Sequence, residues 1–285
     1  MSGSRALTIL SRRLPAKRAF ITGAASGLGR AVALELARDG WQLGLLDLSA
    51  ERLRGVEEEM RAAGAAIRAY TGDVADEPFV AASVADFVAH TGGLDLIMNN
   101  AGVAVAGAVE DTAVEDWRWI VGINLLGAVW GCRAAIPVMR AQGSGLVLNI
   151  ASSAGFAAAP RMAPYNATKS AVIALSETMA AELDGTGVQV SVAMPGFFRT
   201  HLLESMRAPI EESAGAHRLM QGSKHGAGTA ARALLEAAAN GELHIVWPRE
   251  YRLAWRLKRF FPAWFVRRVG KLRDKQLARA NPPQG

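Results

Sequence analysis

The sequence predicts an α/β fold, one parallel sheet with helices on both faces, and three observations predict it. Short apolar runs of strand length alternate with longer helical patterns along most of the chain. The first run ends in a glycine-rich turn that leads straight into a helix. The 285 residues are 51% hydrophobic and 20% charged, which suffices for a large core and is too apolar for a disordered polymer.

The elements follow in order. AFITG (19–23) reads as the first strand and RAVALELARDG as its helix. QLGLLDL (42–48) is the second strand, and AERLRGVEEEMRAAG is a helix with a charged outer face. AIRAYTGDV is the third strand, FVAASVADFVAHTG a helix, and LDLIMNNAG a strand. A helix through WRWIVGINLLGAVWGCRAAIPVM precedes the strand GLVLNIAS. A helix over about residues 163–183 and the strand VQVSVAMPG come next, and LHIVWP (243–248) closes the sheet. No repeat, low-complexity segment or linker interrupts the pattern before about residue 249.

The net charge of +6 is unevenly spread. Residues 1–18 carry five Lys/Arg and no acid, and residues 249–279 carry eleven against Glu250 and Asp274. The segment between them holds 16 Lys/Arg and 24 Asp/Glu, so an acidic body sits between basic ends. No uninterrupted apolar run reaches the roughly 18 residues of a membrane span. The start lacks the continuous apolar core of a secretory signal, and residues 1–16 are expected to form a peripheral arm. These features suggest an intracellular, cytoplasmic protein. The lone Cys132 excludes an internal disulfide and a cysteine-based zinc site; its neighbours read as a buried helix. No two of the five histidines have metal-ligand spacing, so no metal is expected; His201, beside the PGFFRT segment, is expected to face solvent.

The turn TGAASGLG (22–29) places Gly23, Gly27 and Gly29, with Ser26 and Leu28 between them, between the first strand and first helix. Small residues there let the backbone approach a pyrophosphate, and the helix N-terminus offers free N–H groups and the positive end of its dipole. Asp47 ends the second strand eighteen residues after Gly29. A carboxylate at that position can accept hydrogen bonds from both adenosine-ribose hydroxyls and repels a 2′-phosphate. Ser26 stands where a basic residue would favour that phosphate. NAD is therefore expected over NADP.

Seven features then occur in one order: TGAASGLG, GDV (72–74), NNAG (99–102), Asn124 in INLLG, Ser152, YNATK (165–169) and PGFFRT (195–200). In this the chain resembles the short-chain dehydrogenase/reductase family over about residues 17–248. The resemblance implies a single Rossmann-like, doubly wound dinucleotide-binding and catalytic domain over 17–248. It also implies hydride transfer between a nicotinamide and a secondary alcohol or ketone, and a homodimer or homotetramer packed through the helices carrying Asn124 and Tyr165. Tyr165 corresponds to the acid/base of the family. A free tyrosine, with a pKa of about 10, is a poor proton acceptor near neutral pH. Lys169, four residues on, shares a helix face with it and is expected to favour phenolate. Ser152, thirteen residues before Tyr165, corresponds to the serine that hydrogen-bonds the substrate oxygen, and Asn124 to the asparagine that holds a relay water. The resemblance further implies that Asp73 and Val74 contact adenine and that Asn100, Ala101 and Gly102 line the adenosine side. Lys169 reaches the nicotinamide ribose, and Pro195, Gly196 and Thr200 flank the nicotinamide. Two other functions stay open on the sequence: a non-catalytic dinucleotide-binding sensor or scaffold, and an NADP(H)-dependent carbonyl reductase.

The expected substrate loop, about 197–223, holds Phe197, Phe198, Leu202, Leu203, Met206, Leu219 and Met220, and faces AAAPRM (157–162). It suggests a bulky lipophilic substrate, while Arg161, Arg199 and Arg207 leave an acidic one open. Residues 249–285 form a basic amphipathic helical extension broken at Pro262. It suits an anionic membrane surface, the protein's own body or a second subunit; without a reading motif, nucleic acid is not expected.

Overall fold

A computed structural model describes residues 2–200 and 202–280. After a helix α1 (Ser2–Arg13), the chain alternates through β1 (Arg18–Thr22), α2 (Gly27–Arg38), β2 (Gln42–Asp47), α3 (Ala50–Ala62), β3 (Ile67–Thr71), α4 (Glu77–Thr91) and β4 (Leu96–Asn99). Helix α5 (Val114–Val121) runs through a π-helical turn (Gly122–Leu126) into α6 (Gly127–Gln142). Then come β5 (Gly145–Ile150), the short α7 (Ala154–Ala157), α8 (Ala163–Glu182) and β6 (Val188–Pro195). Helices α9 (Ile210–Gln221) and α10 (Ala227–Ala239) precede β7 (His244–Trp247), and α11 (Glu250–Phe260) and α12 (Pro262–Ala280) end the described chain.

The seven strands form one parallel sheet in the order β3-β2-β1-β4-β5-β6-β7. The inner strands are buried on both faces and read as continuous apolar runs, as a doubly covered sheet requires. One core, with Trp41, Leu36 and Leu234, lies under α2 and α10; the other, with Phe20, Phe87 and Met139, lies under α4 and α6. The chain winds outward from β1 to β3 and then crosses back to β4 on the other side of β1. Between β1 and β4 the connections leave in opposite directions, which opens a crevice at the carboxyl ends of the strands.

The crossing is tied by side chains. Thr22 Oγ1 accepts from the backbone N–H groups of Asn100 (3.0 Å) and Ala101 (3.1 Å). Asn100 Nδ2 donates back to the carbonyls of Thr22 (3.0 Å) and Gly23 (2.9 Å). Deeper in the sheet, Asn99 Nδ2 donates to Asn149 Oδ1 (2.8 Å) and Asn149 Nδ2 to Ser176 Oγ (2.9 Å), joining β4, β5 and α8 in a buried polar chain. Cys132 sits beside this chain, buried, and burial pushes its thiol up to about 12.

Three features differ from the sequence expectation. The N-terminal segment is helical, and its Leu10 and Leu14 are buried against the body, mainly along α10. Arg13 also donates to the Ala239 carbonyl at 2.9 Å. The segment between β6 and β7 contains two helices, α9 and α10, which residue pattern alone does not separate from a loop. The composite helix Val114–Gln142 is apolar and long enough to cross a membrane by length and composition. Its arginines interrupt the run in the sequence, and in the fold it packs on α4, α8 and the strands β4 and β5.

Leu10 is almost wholly buried, so Leu10→Ala removes its side chain from the core. Urea unfolding of this variant should show a loss of about 2–4 kcal/mol. A loss below about 0.5 kcal/mol, the range of surface substitutions, would contradict the docked position of α1.

Candidate active site

The crevice holds a cavity of about 760 Å³ that runs from Asp47 at the end of β2 to Tyr165 and Lys169 on α8. Gly23, Ser26, Gly27, Leu28, Asp47, Asp73, Val74, Asn100, Ala101, Gly102, Ser152, Tyr165, Lys169, Pro195, Gly196 and Thr200 all line it. Of the expected site residues only Gly29 and Asn124 lie behind the wall. His201 lies outside the described residues.

Each end of the cavity has its own architecture. At the β1–α2 turn Gly23 holds φ +62°, and a Cβ on Gly29 would stand 2.1 Å from the Gly23 carbonyl oxygen, so only glycine fits there. Ser26 occupies the N-cap of α2, yet its side chain does not cap the helix. The first-turn N–H groups therefore face the cavity as an anion seat. Asp47 Oδ2 accepts from the Ala25 N–H (2.9 Å) and Oδ1 from the Ser49 N–H (3.0 Å), so the carboxylate also pins the glycine turn. Each oxygen keeps a further lone pair. Arg52, on the first turn of α3, reaches across to Glu204 at 3.0 Å. Both line the cavity, and the sequence reading missed both, because the partners are 152 residues apart. Asn100 ties its side-chain amide to the turn.

At the other end, Tyr165 and Lys169 lie on one face of α8, both buried. Lys169 Nζ donates to the Ile150 carbonyl at 2.9 Å and lies 5.8 Å from the centre of the Tyr165 ring. Burial brings the Lys169 ammonium down to about 8. Burial also pushes the Tyr165 phenol above its usual range, and the Ser152 hydroxyl opposes the shift. Removal from water thus favours the neutral phenol over its anion. Ser152 Oγ accepts from the Ala154 N–H at 3.1 Å, which holds it at the head of α7.

Asn124 sits in the π-helical turn, where one extra residue widens the helix. Its side chain is paired with the backbone of Val103: Oδ1 accepts from the N–H at 2.8 Å and Nδ2 donates to the carbonyl at 3.0 Å. Nδ2 also reaches Thr168 Oγ1 at 3.3 Å. The asparagine thus ties the β4 loop to α8. A Cβ on Gly102 would stand 3.2 Å from Asn124 Oδ1 and 3.3 Å from Lys169 Nζ, so this glycine keeps the wall between them thin.

The remaining wall is apolar. Phe197, Phe198, Leu202, Leu203 and Met220 come from the substrate-loop segment, and Ala157, Ala159 and Met162 face them. Trp119 and Tyr251 complete it and were not anticipated. Tyr251 belongs to α11, beyond the expected catalytic domain, and its ring fills the space where Gly196 lacks a side chain. The three loop-side arginines stay out of the cavity wall. Arg161 pairs with Glu212 of α9, and Arg207 donates to Asp116 at 2.8 Å and stacks 3.8 Å over the Trp119 ring. Among the described residues no cluster of His, Cys, Asp and Glu could hold a metal ion.

Comparison with known proteins agrees with this layout. The short chain dehydrogenase family profile matches residues 17–211. The 2-(R)-hydroxypropyl-CoM dehydrogenase of Xanthobacter autotrophicus is 36% identical over 193 residues, 65% of this chain and 76% of its own. The 3-oxoacyl-[acyl-carrier-protein] reductase FabG of Staphylococcus aureus is 33% identical over 197 residues, 69% of this chain and 80% of its own. A short chain dehydrogenase/reductase from Burkholderia phymatum, solved in complex with NAD, superposes with a TM-score of 0.82 at 31% identity, covering 85% of this chain and 92% of that one. The chain belongs to the short-chain dehydrogenase/reductase family of NAD(P)-binding oxidoreductases that act on alcohol and ketone substrates.

Proposed function

We propose that the protein is an NAD(H)-dependent oxidoreductase that interconverts a bulky, lipophilic secondary alcohol and its ketone. The observation that carries the proposal is the convergence of Tyr165, Lys169 and Ser152 at the inner end of an apolar cavity whose other end carries Asp47. The residues present fit a dinucleotide: an uncapped helix N-terminus suits its pyrophosphate, and Asp47 suits its adenosine ribose. Asp73, Val74, Asn100, Ala101 and Gly102 fit around the adenosine, and Lys169, Pro195, Gly196 and Thr200 around the nicotinamide half. When bound, the dinucleotide supplies or accepts hydride, and in its oxidised form it adds a positive charge near the phenol.

Tyr165 exchanges the proton of the substrate oxygen. Its phenol, held neutral by burial, is ready to donate to a carbonyl oxygen as that oxygen gains charge. In the oxidising direction the same oxygen must first lose its proton, and the ammonium of Lys169 lowers the cost of that anion. Ser152 donates to the substrate oxygen and orients it toward Tyr165. Asn124, in the π-helical turn tied to the β4 loop, is assigned the relay water beside Lys169.

The preference for NAD rests on charge. Asp47 presents a carboxylate at the adenosine end, and Arg52, the one cation in that part of the wall among the described residues, is engaged by Glu204. The preference for a lipophilic substrate rests on the apolar wall and on the placement of Arg161, Arg199 and Arg207 outside it. Family members are commonly oligomeric, and we infer a homodimer or homotetramer here, packed through α6 and α8. The catalytic unit is taken as 17–248, with Tyr251 of the extension added to its wall.

Four outcomes are expected. Tyr165→Phe should lower kcat by about 10²–10⁴-fold, the usual share of general acid–base catalysis, while NADH affinity by fluorescence titration stays within about twofold. Near wild-type turnover would remove Tyr165 from the mechanism. Asp47→Ala should raise the ratio of kcat/KM for NADP⁺ over NAD⁺ on the order of tenfold or more, by removing like-charge repulsion. Glu204→Gln should shift it the same way by a few-fold, since the Arg52 pair is solvent-exposed; unchanged ratios in both would refute the charge argument. Ketone reduction needs the phenol and should fall as pH rises into the alkaline range, whereas alcohol oxidation needs the anion and should rise there. The reverse pair of pH profiles would contradict the assignment.

A further inference from the structure

The last described segment has no role in this chemistry apart from Tyr251. Residues 251–273 hold eight Lys/Arg and no Asp or Glu. Helix α11 uses one side to pack on β7 and α7, through Tyr251, Ala254 and Trp255. Arg252 is consumed in that docking, donating to the Val246 carbonyl and to Glu242. Phe265 of α12 is also buried, but a set of large apolar side chains on the extension faces outward. Leu253, Phe260, Phe261 and Trp264 are all more than half exposed, with relative exposures of 64%, 72%, 60% and 51%. Phe260 and Phe261 stand at the corner before Pro262, Trp264 on the first turn of α12, and Leu253 two turns before Phe260 on the same side of α11.

Cations surround these apolar groups. Arg259 lies against the Trp255 ring and Arg268 against the Trp264 ring. Among the described residues no carboxylate pairs with Arg256, Lys258, Arg259, Arg267, Arg268 or Lys271. Three large aromatic rings left in water gain nothing for a free monomer. Unpaired cations interleaved with them give the pattern of a helix that lies in the plane of an anionic lipid interface, with rings at headgroup depth and guanidinium groups on the phosphates.

We propose that the corner between α11 and α12 is a peripheral docking surface for an anionic lipid bilayer. Charge complementarity selects this occupant: a second copy of the same surface would bring cation against cation. Because α11 also supplies Tyr251 to the cavity wall, docking brings the cavity close to the bilayer. The surface stands on exposed residues of the extension alone and does not depend on which cofactor or substrate the cavity takes.

The test is flotation of the full-length protein with phosphatidylcholine vesicles, with and without phosphatidylglycerol. The protein should float with the anionic vesicles, remain behind with the neutral ones, and be released by high salt. Replacing Phe260, Phe261 and Trp264 together by Ser should abolish flotation without shifting thermal unfolding, since these side chains are exposed. Replacing Arg267 and Arg268 by Gln should lower the bound fraction on the order of tenfold, and this pair keeps the test decisive if the triple variant unfolds. Equal binding to neutral vesicles, or flotation indifferent to both variants, would overturn the proposal. So would a vesicle-free oligomer that the triple variant dissociates, which would make the surface a subunit contact.

Discussion

The arrangement of the site depends on a buried cation. Lys169 holds its ammonium in the cavity wall, donating to one carbonyl, and burial brings it down to about 8. Taking a charge out of water is expensive, and the fixed dipole of that carbonyl offsets part of the cost. The Ile150 carbonyl comes from the end of β5, the Asn124 amide from a widened helix turn, and Gly102 keeps the intervening wall thin. Each of these is a backbone or buried polar feature, so the position of the ammonium is set by the sheet and not by a mobile loop.

The same frame sets the two ends of the cavity at a fixed separation. The crossing from β3 to β4 creates the crevice, and the Thr22–Asn100 ties hold its two lips together. The Asn99–Asn149–Ser176 chain then couples β4 and β5 to α8, the helix that carries Tyr165 and Lys169. An apolar core would tolerate small shifts between these elements, whereas directional hydrogen bonds between buried amides favour one register. The tied half of the site therefore carries Tyr165 and Lys169, and the apolar side chains of Phe197, Leu203 and Met220 form part of the remaining wall.

Much of this was legible in the sequence because it is local. Strand-length apolar runs, the glycine turn and the i, i+4 placement of Tyr165 and Lys169 each depend on neighbouring residues, and the structure brings those residues to one cavity. What was not legible is long-range. The Arg52–Glu204 pair, the Tyr251 ring over Gly196 and the docking of Leu10 on the body join residues far apart in the chain, and no residue spacing reports them. Asn100 lines the cavity and also ties the glycine turn through its side-chain amide, a contact that the motif does not report. Burial acts on both Tyr165 and Lys169, an effect that residue spacing does not report.

Burial favours Tyr165 as a neutral phenol, and we propose that a bound oxidised dinucleotide draws it toward the anion. With only three tyrosines in the chain, ultraviolet difference titration of tyrosinate can follow it directly, with Tyr165→Phe identifying its share of the signal. The account predicts a Tyr165 transition above that of free tyrosine in the protein alone, moving to lower pH when NAD⁺ is added. A transition already below the free value without dinucleotide, or one that NAD⁺ leaves in place, would contradict it.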